Sequence, residues 1–169
     1  MFLLGEYQNR IDPRGRAFVP VKFRDVLGSP IYMVINGRKC IECYNEEGIK
    51  AKYESAISEN GSPLRKETIA SALFSNGDTQ PIDNQGRIIL KPDYIESIGA
   101  DKDVVFLGAY DHFEIWAKNE YELMKQKVGK VTSEINSIGA LEEEVGILEK
   151  RAELMRRKKA LMAEIGENE

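Results

Sequence analysis

Histidine and cysteine are almost missing from this chain, which has one of the first, His112, and two of the second, Cys40 and Cys43, in 169 residues. A structural zinc site needs about four nitrogen or sulfur ligands, so a lone C-x-x-C falls short of one. A redox pair at that spacing opens a helix. Cys40 and Cys43 instead stand in a strand-like run, where positions three apart point to opposite faces. Both are read as packed thiols, and no metal or other cofactor is expected. A phosphate loop, a serine elbow and any nucleophile–base constellation are also lacking, which leaves little from which to build an enzyme. No run approaches the roughly 18 apolar residues of a membrane span. Met1-Phe2-Leu3-Leu4 is too short for a signal peptide, and Glu6 interrupts it. A cytoplasmic protein without membrane contacts or a small-molecule substrate is expected.

An excess of positive charge is absent too. The chain has 24 Lys and Arg against 28 Asp and Glu, a net charge of −4. That excludes a surface that coats nucleic acid uniformly, so any such contact must be a local patch. Apolar content of 42% and charged content of 31% fit a globular protein with some long exposed helix. The length suffices for one domain or two small ones.

What the chain does have is a repeat. Asp12-Pro13-Arg14-Gly15-Arg16 returns 71 positions later as Asp83-Asn84-Gln85-Gly86-Arg87. Ile11 falls on Ile82, Phe18 on Ile89, Val19 on Leu90, Phe23 on Tyr94 and Gly28 on Gly99. One extra residue then brings Ile41-Glu42-Cys43-Tyr44 onto Phe113-Glu114-Ile115-Trp116. Shared period in apolar pattern, turn chemistry and charge marks an internal duplication. Asp first, Pro second and Gly fourth are type I turn preferences. The Asp carboxylate can accept from N–H groups two residues on. Asp12, Gly15, Asp83, Gly86 and Arg87 are thus the structural elements of the motif, with Arg16 held at the head of the outgoing strand. Asp12 with Arg16 also fits a plain salt-bridged hairpin end.

Each copy reads as strand, turn, strand, short helix, strand, turn, strand. Glu6 to Ile11 and Ala17 to Val19 are expected to pair as a hairpin across the first turn. Pro20 and Gly28 bracket a helix over Val21 to Leu27. Ile31 to Ile35 meets Asn36-Gly37, a strong hairpin signal, and returns from Cys40 to Tyr44. In the second copy the matching pieces are Ile88 to Leu90, a helix between Pro92 and Gly99, Val104 to Leu107, and His112 to Trp116. Neither copy has enough strands to close a sheet, so the two are expected to combine in one β-barrel with helices, an α+β fold. Between them, Glu46 to Ser58 and a second helix begun by Ser62 and Pro63 serve as spacers, Ile69, Leu73 and Phe74 giving the latter an apolar side. The expected divisions are residues 1–48, 49–77, 78–118 and 119–169.

After Trp116, Met124, Val128, Val131, Ile135 and Ile138 step by four and three. Leu141, Val145, Leu148, Ala152 and Met155 resume the alternation after a step of three. This is a heptad seam with one stammer, suited to a coiled coil or a helical hairpin. Gly129, Gly139 and Gly146 each weaken the helix by about 1 kcal/mol relative to Ala. The run Arg156-Arg157-Lys158-Lys159 reads as a solvated helix face.

The duplicated D-x-x-G-R unit, with Leu4-Gly5-Glu6-Tyr7, Val19-Pro20-Val21-Lys22-Phe23-Arg24, Val104-Val105-Phe106-Leu107-Gly108 and Glu114-Ile115-Trp116, resembles the MraZ family of bacterial transcriptional regulators. That family belongs to the AbrB-like, swapped-hairpin β-barrel group. The likeness runs to about Trp116. Lys91 before Pro92 departs from the family's apolar residue, and the helix beyond about Met124 is longer than usual. The resemblance implies an internally duplicated fold, a homo-oligomeric ring, and binding to short direct repeats in the promoter of the division and cell-wall gene cluster. It also implies a nucleoid-associated location and ties Arg16 to double-stranded DNA.

Charge separates the copies. From Asn9 to Arg24, five cations (Arg10, Arg14, Arg16, Lys22 and Arg24) face Asp12 alone, a net of +4. From Gln80 to Ile95, Arg87 and Lys91 are balanced by Asp83 and Asp93. The first copy is therefore the expected DNA-binding one. Arg16 suits bidentate contact with guanine, while Arg10, Arg14, Lys22 and Arg24 suit phosphates. Arg87 is assigned to Asp83 and to subunit contacts. The competing readings are an AbrB-like antitoxin, which usually carries one motif per chain, and an oligomeric hub indifferent to DNA.

Overall fold

The structure, a computed structural model, describes residues 2–58 and 63–166. It divides into two compact units, Met1–Leu123 and Met124–Glu169. In the first, β1 (Glu6–Arg10) leads into β2 (Arg16–Phe18), helix α1 (Val21–Leu27), and the hairpin β3 (Ile31–Ile35) and β4 (Cys40–Tyr44). Helices α2 (Glu46–Ser58) and α3 (Pro63–Phe74) connect to the second copy. That copy runs β5 (Gly77–Gln80), β6 (Arg87–Ile89), α4 (Pro92–Ser97), β7 (Asp103–Ala109) and β8 (His112–Ala117), and α5 (Lys118–Gly166) follows. The order of elements is the same in both copies, and the fold is α+β.

The copies interleave. One antiparallel sheet runs β1-β7-β8-β4-β3-β5, and a separate two-stranded ribbon joins β2 to β6. The expected hairpin across the first turn does not form. Two backbone bonds, from Asp12 N–H to the Arg16 carbonyl and from Gly15 N–H to the Asp12 carbonyl, both 2.9 Å, close the turn. Beyond it β1 pairs with β7 and β2 with β6, both in the other copy. Exchange gives β1, β2, β5 and β6 partners in the other copy, so each of these short strands is paired along one side. It also turns Ala17 and Ile88, both 0% exposed, into the core.

The register shows how the duplication is built. Val34 faces Glu42, and Leu107 faces Glu114. With Gly28 on Gly99 and Glu42 on Glu114, two residues have been gained before β7 and one lost from the β7–β8 turn. The single net insertion seen in the sequence is thus two events. The β3–β4 connection is four residues, Asn36 to Lys39. Lys39, not Gly37, takes the left-handed conformation at φ 61°, and Asn36 Oδ1 accepts from the N–H groups of Arg38 and Cys40.

Phe23 from α1 is wholly buried at the centre of the core. It stacks on Phe113 with centroids 5.3 Å apart and meets Tyr7 edge-on at 5.1 Å. Cys40 and Cys43 are free, buried thiols. The repeat also extends past Trp116. Ile49 on α2 and Tyr121 on α5 stand at equivalent places, are 6% and 5% exposed, and begin helices that leave the sheet in the same register. Ile69 is half-buried and Phe74 exposed against Tyr53. Ser62 and the Leu73 side chain lie outside the described residues. In the second unit α5 continues through Gly129, Gly139 and Gly146 without a break. No described helix is long and apolar enough to cross a membrane.

Candidate nucleic-acid interface

The Asp12 turn is fixed by its own carboxylate. Oδ1 accepts from the N–H groups of Arg14 (2.8 Å) and Arg16 (2.9 Å), and the Gly15 N–H reaches the Asp12 carbonyl at 2.9 Å. Gly15 holds φ at 78°. A Cβ there would stand 2.6 Å from the Leu90 carbonyl oxygen, so this position requires glycine on two counts. The second oxygen, Oδ2, takes Arg16 Nε at 2.6 Å. These bonds, with the backbone N–H of Arg16 foremost, hold the Asp12 carboxyl below the usual carboxylate range.

The second copy repeats this geometry. Asp83 Oδ1 accepts from Gln85 and Arg87 N–H, both at 2.9 Å, and Oδ2 takes Arg87 Nε at 2.8 Å. The Arg87 side chain is foremost in lowering the Asp83 carboxyl below its ordinary value. The assignment of Arg87 to Asp83 therefore describes Arg16 and Asp12 equally well. Each guanidinium gives its carboxylate two nitrogens, and the Arg16 and Arg87 side chains are 28% and 17% exposed.

Strand exchange brings both arginines onto one ribbon. In the β2·β6 pairing Arg16 stands opposite Ile89 and Phe18 opposite Arg87. Ala17 and Ile88 point inward, which leaves Arg16, Phe18, Arg87 and Ile89 on the outer face. Phe18 is 54% and Ile89 49% exposed, and the Arg87 guanidinium lies 5.8 Å above the Phe18 ring. Sequence reasoning passed over Phe18 and Ile89. Their signal is an apolar residue on the solvent side of a strand, at the same place in both copies.

The other candidates scatter around this ribbon. Arg14 is exposed at the tip of the turn and Lys22 on α1. Arg10, on β1, pairs with Asp103 at 3.1 Å, both side chains more than half exposed. Arg24 is drawn inward and packs on the second turn, where a Cβ on Gly86 would collide with its Nη1. Its Nε is buried with no hydrogen-bond partner among the described residues.

A second polar cluster marks the pseudo-two-fold axis. Glu42 and Glu114 face each other across β4 and β8 and are 5% and 3% exposed. Arg38 bonds to both, and Lys52 reaches Glu42 at 2.5 Å. Tyr44 and Asn36 also donate to Glu42, at 2.8 and 2.7 Å, and Trp116 Nε1 donates to Glu114 at 2.8 Å. Burial pushes Glu42 up, but Lys52, Asn36 and Tyr44 outweigh it and hold the carboxyl at about 2. Ligand atoms of Glu42, His112 and Glu114 lie within 4.8 Å of one another. Arg38 and Lys52 already neutralise those carboxylates, which makes the cluster a cross-strand clasp. Its signal in the sequence was one acid inside an apolar strand, in both copies.

Two interleaved copies of one unit, each with a carboxylate-locked arginine turn, define a swapped-hairpin α+β protein of the AbrB-like group. Comparison with known proteins narrows this. The family model described as "MraZ protein, putative antitoxin-like" matches residues 73–137. A protein of Lachnoclostridium phytofermentans named transcriptional regulator MraZ is 32% identical over 119 residues, 70% of this chain and 84% of that protein. Its namesake in Dictyoglomus thermophilum is 30% identical over 138 residues, 79% of this chain and 93% of the relative. That of Mycoplasmoides gallisepticum is 28% identical over 119 residues, 70% and 84% of the two chains. The chain belongs to the MraZ family.

Proposed function

We propose that this protein is a transcriptional regulator that binds DNA sequence-selectively through the β2·β6 ribbon. A two-stranded ribbon fits the major groove of B-DNA, where arginine reads guanine O6 and N7 and apolar side chains meet the thymine methyl. The observation that supports this most is the placement of Arg16 on that ribbon, aimed by Asp12 and flanked by exposed Phe18 and Ile89. Arg10, Arg14 and Lys22 serve phosphates and set register. Arg24 joins them only through its terminal nitrogens. Arg87, on the same ribbon, adds a second guanidinium within reach of the same groove.

In this reading residues 1–48 and 78–118 form the binding body, 49–77 a connector and 119–169 an extension. The body assembles as a ring of many copies in the cytoplasm, on the nucleoid, and binds short direct repeats in the promoter of the division and cell-wall gene cluster. One ribbon with a handful of phosphate contacts binds weakly at physiological salt. Several ribbons on evenly spaced repeats raise effective concentration and recover affinity. The test is fluorescence anisotropy on a duplex carrying such repeats and on a scrambled duplex, across a salt series. Selective binding whose logarithm falls linearly with that of salt supports the reading. Equal, weak binding to both duplexes contradicts it and favours an oligomeric hub.

A further inference from the structure

Helix α5 carries an apolar seam left open to solvent. Leu141, Val145, Leu148 and Met155 are 60%, 53%, 58% and 74% exposed. With Ala152 they step by four and three, the a and d spacing of a two-stranded coil. Charge is sorted into blocks along the same stretch. Glu142, Glu143, Glu144 and Glu149 come first, then Lys150, Arg151, Arg156 and Arg157, with Glu153 the one acid among them.

We propose that this segment pairs with the same segment of a second copy, antiparallel, about a two-fold axis near Lys150. Several alignments keep the seam closed, and charge chooses between them. Parallel pairing in register sets Glu144 against Glu149 and Arg151 against Arg156, so that like charges meet at each flank. An antiparallel pairing centred near Leu141 uses a longer seam but lays Lys125 beside Arg156 and the basic block along Lys127 and Lys130. The pairing centred on Lys150 packs Val145 on Met155 and Leu148 on Ala152. It sets Glu142 against Arg156 and lays the acidic block along the basic one. Only Glu149 and Arg151, at the centre, meet their own kind.

The paired stretch is about 21 Å long at 1.5 Å per residue, so one pair is weak alone and gains where several copies are held together. The C-terminal helix thereby becomes a self-association element separate from the β2·β6 ribbon.

Disulfide trapping in the full-length protein, without DNA, tests this apart from the DNA-binding reading. Cys40 and Cys43 are buried and stay silent. A Leu148→Cys chain is mixed with a size-tagged Ala152→Cys chain and oxidised mildly. The heterodimer is expected to exceed both homodimers several-fold, to fall when Glu142→Arg is added to both chains, and to return when Arg156→Glu joins it. Leu148 homodimers in excess would show parallel pairing and overturn the proposal. So would the absence of cross-links with a particle mass that Val145→Asp leaves unchanged.

Discussion

Arg16 Nε and Nη2 both lie 2.6 Å from a single oxygen of Asp12, the Oδ2 atom. Seventy-one residues on, Arg87 Nε and Nη2 approach Asp83 Oδ2 at 2.8 and 2.7 Å. The carboxylate thus does two jobs, one oxygen shaping the turn and the other aiming the guanidinium. A long cationic side chain that would otherwise sample many rotamers is held in place before any partner arrives, and less ordering cost then falls on binding.

Asp12→Asn separates the two jobs. The amide oxygen still accepts from the N–H groups of Arg14 and Arg16, so the turn persists, but the amide nitrogen cannot accept from the guanidinium. The expected outcome is an unchanged far-ultraviolet circular dichroism spectrum with a loss of about tenfold in selectivity for the repeats over a scrambled duplex, in line with one aimed contact. Unchanged selectivity would show that the Asp12 lock plays no part in recognition.

The two turn glycines should differ in tolerance. Both hold a positive φ, 78° at Gly15 and 80° at Gly86. Alanine at Gly15 drives its Cβ into the Leu90 backbone carbonyl, whereas at Gly86 it meets the end of the Arg24 side chain, which can swing away. Gly15→Ala is expected to cost about 2–3 kcal/mol in denaturant unfolding and Gly86→Ala about 1 kcal/mol. Equal costs would show that backbone conformation alone sets the requirement.

His112 is the chain's single histidine, so its ring proton gives one unambiguous titration by NMR. Burial lowers its pKa, but Glu114 and Asp111, with Glu42 beyond, outweigh that and raise it above 6.5. Arg38 and Lys52 are the cations of the same cluster. A raised folded-state value means that this contribution to stability is full below 6.5 and is lost as pH climbs through the folded value. Glu114→Gln removes the largest raising partner, so the midpoint is expected to fall. A midpoint that does not move would show that Glu114 does not face the ring.

Much of this molecule was legible in its sequence, because turns and helix ends are local. Asp12, Gly15 and their copies announce their geometry within five residues, and Val21–Leu27 is bracketed by Pro20 and Gly28. The exchange of β2 and β6 was implied by the family resemblance but was not legible in the residues themselves, which read as a hairpin across the first turn. Ala17 and Ile88 specify only that one face is buried, and that face can be buried against either copy. The two-residue gain before β7 was hidden because a one-residue loss in the next turn nearly cancels it. The basic first copy and neutral second copy looked like separate surfaces. Only the ribbon shows that Arg16 and Arg87 share one.

The most direct test of the account compares wild type with Arg16→Ala at one salt concentration, reading the ratio of affinities for the promoter repeats and a scrambled duplex by anisotropy. Light scattering on the same samples follows the particle. The account predicts that the ratio falls by at least about tenfold, the worth of one good bidentate base contact, while particle mass stays the same. A variant that keeps the wild-type ratio would contradict it.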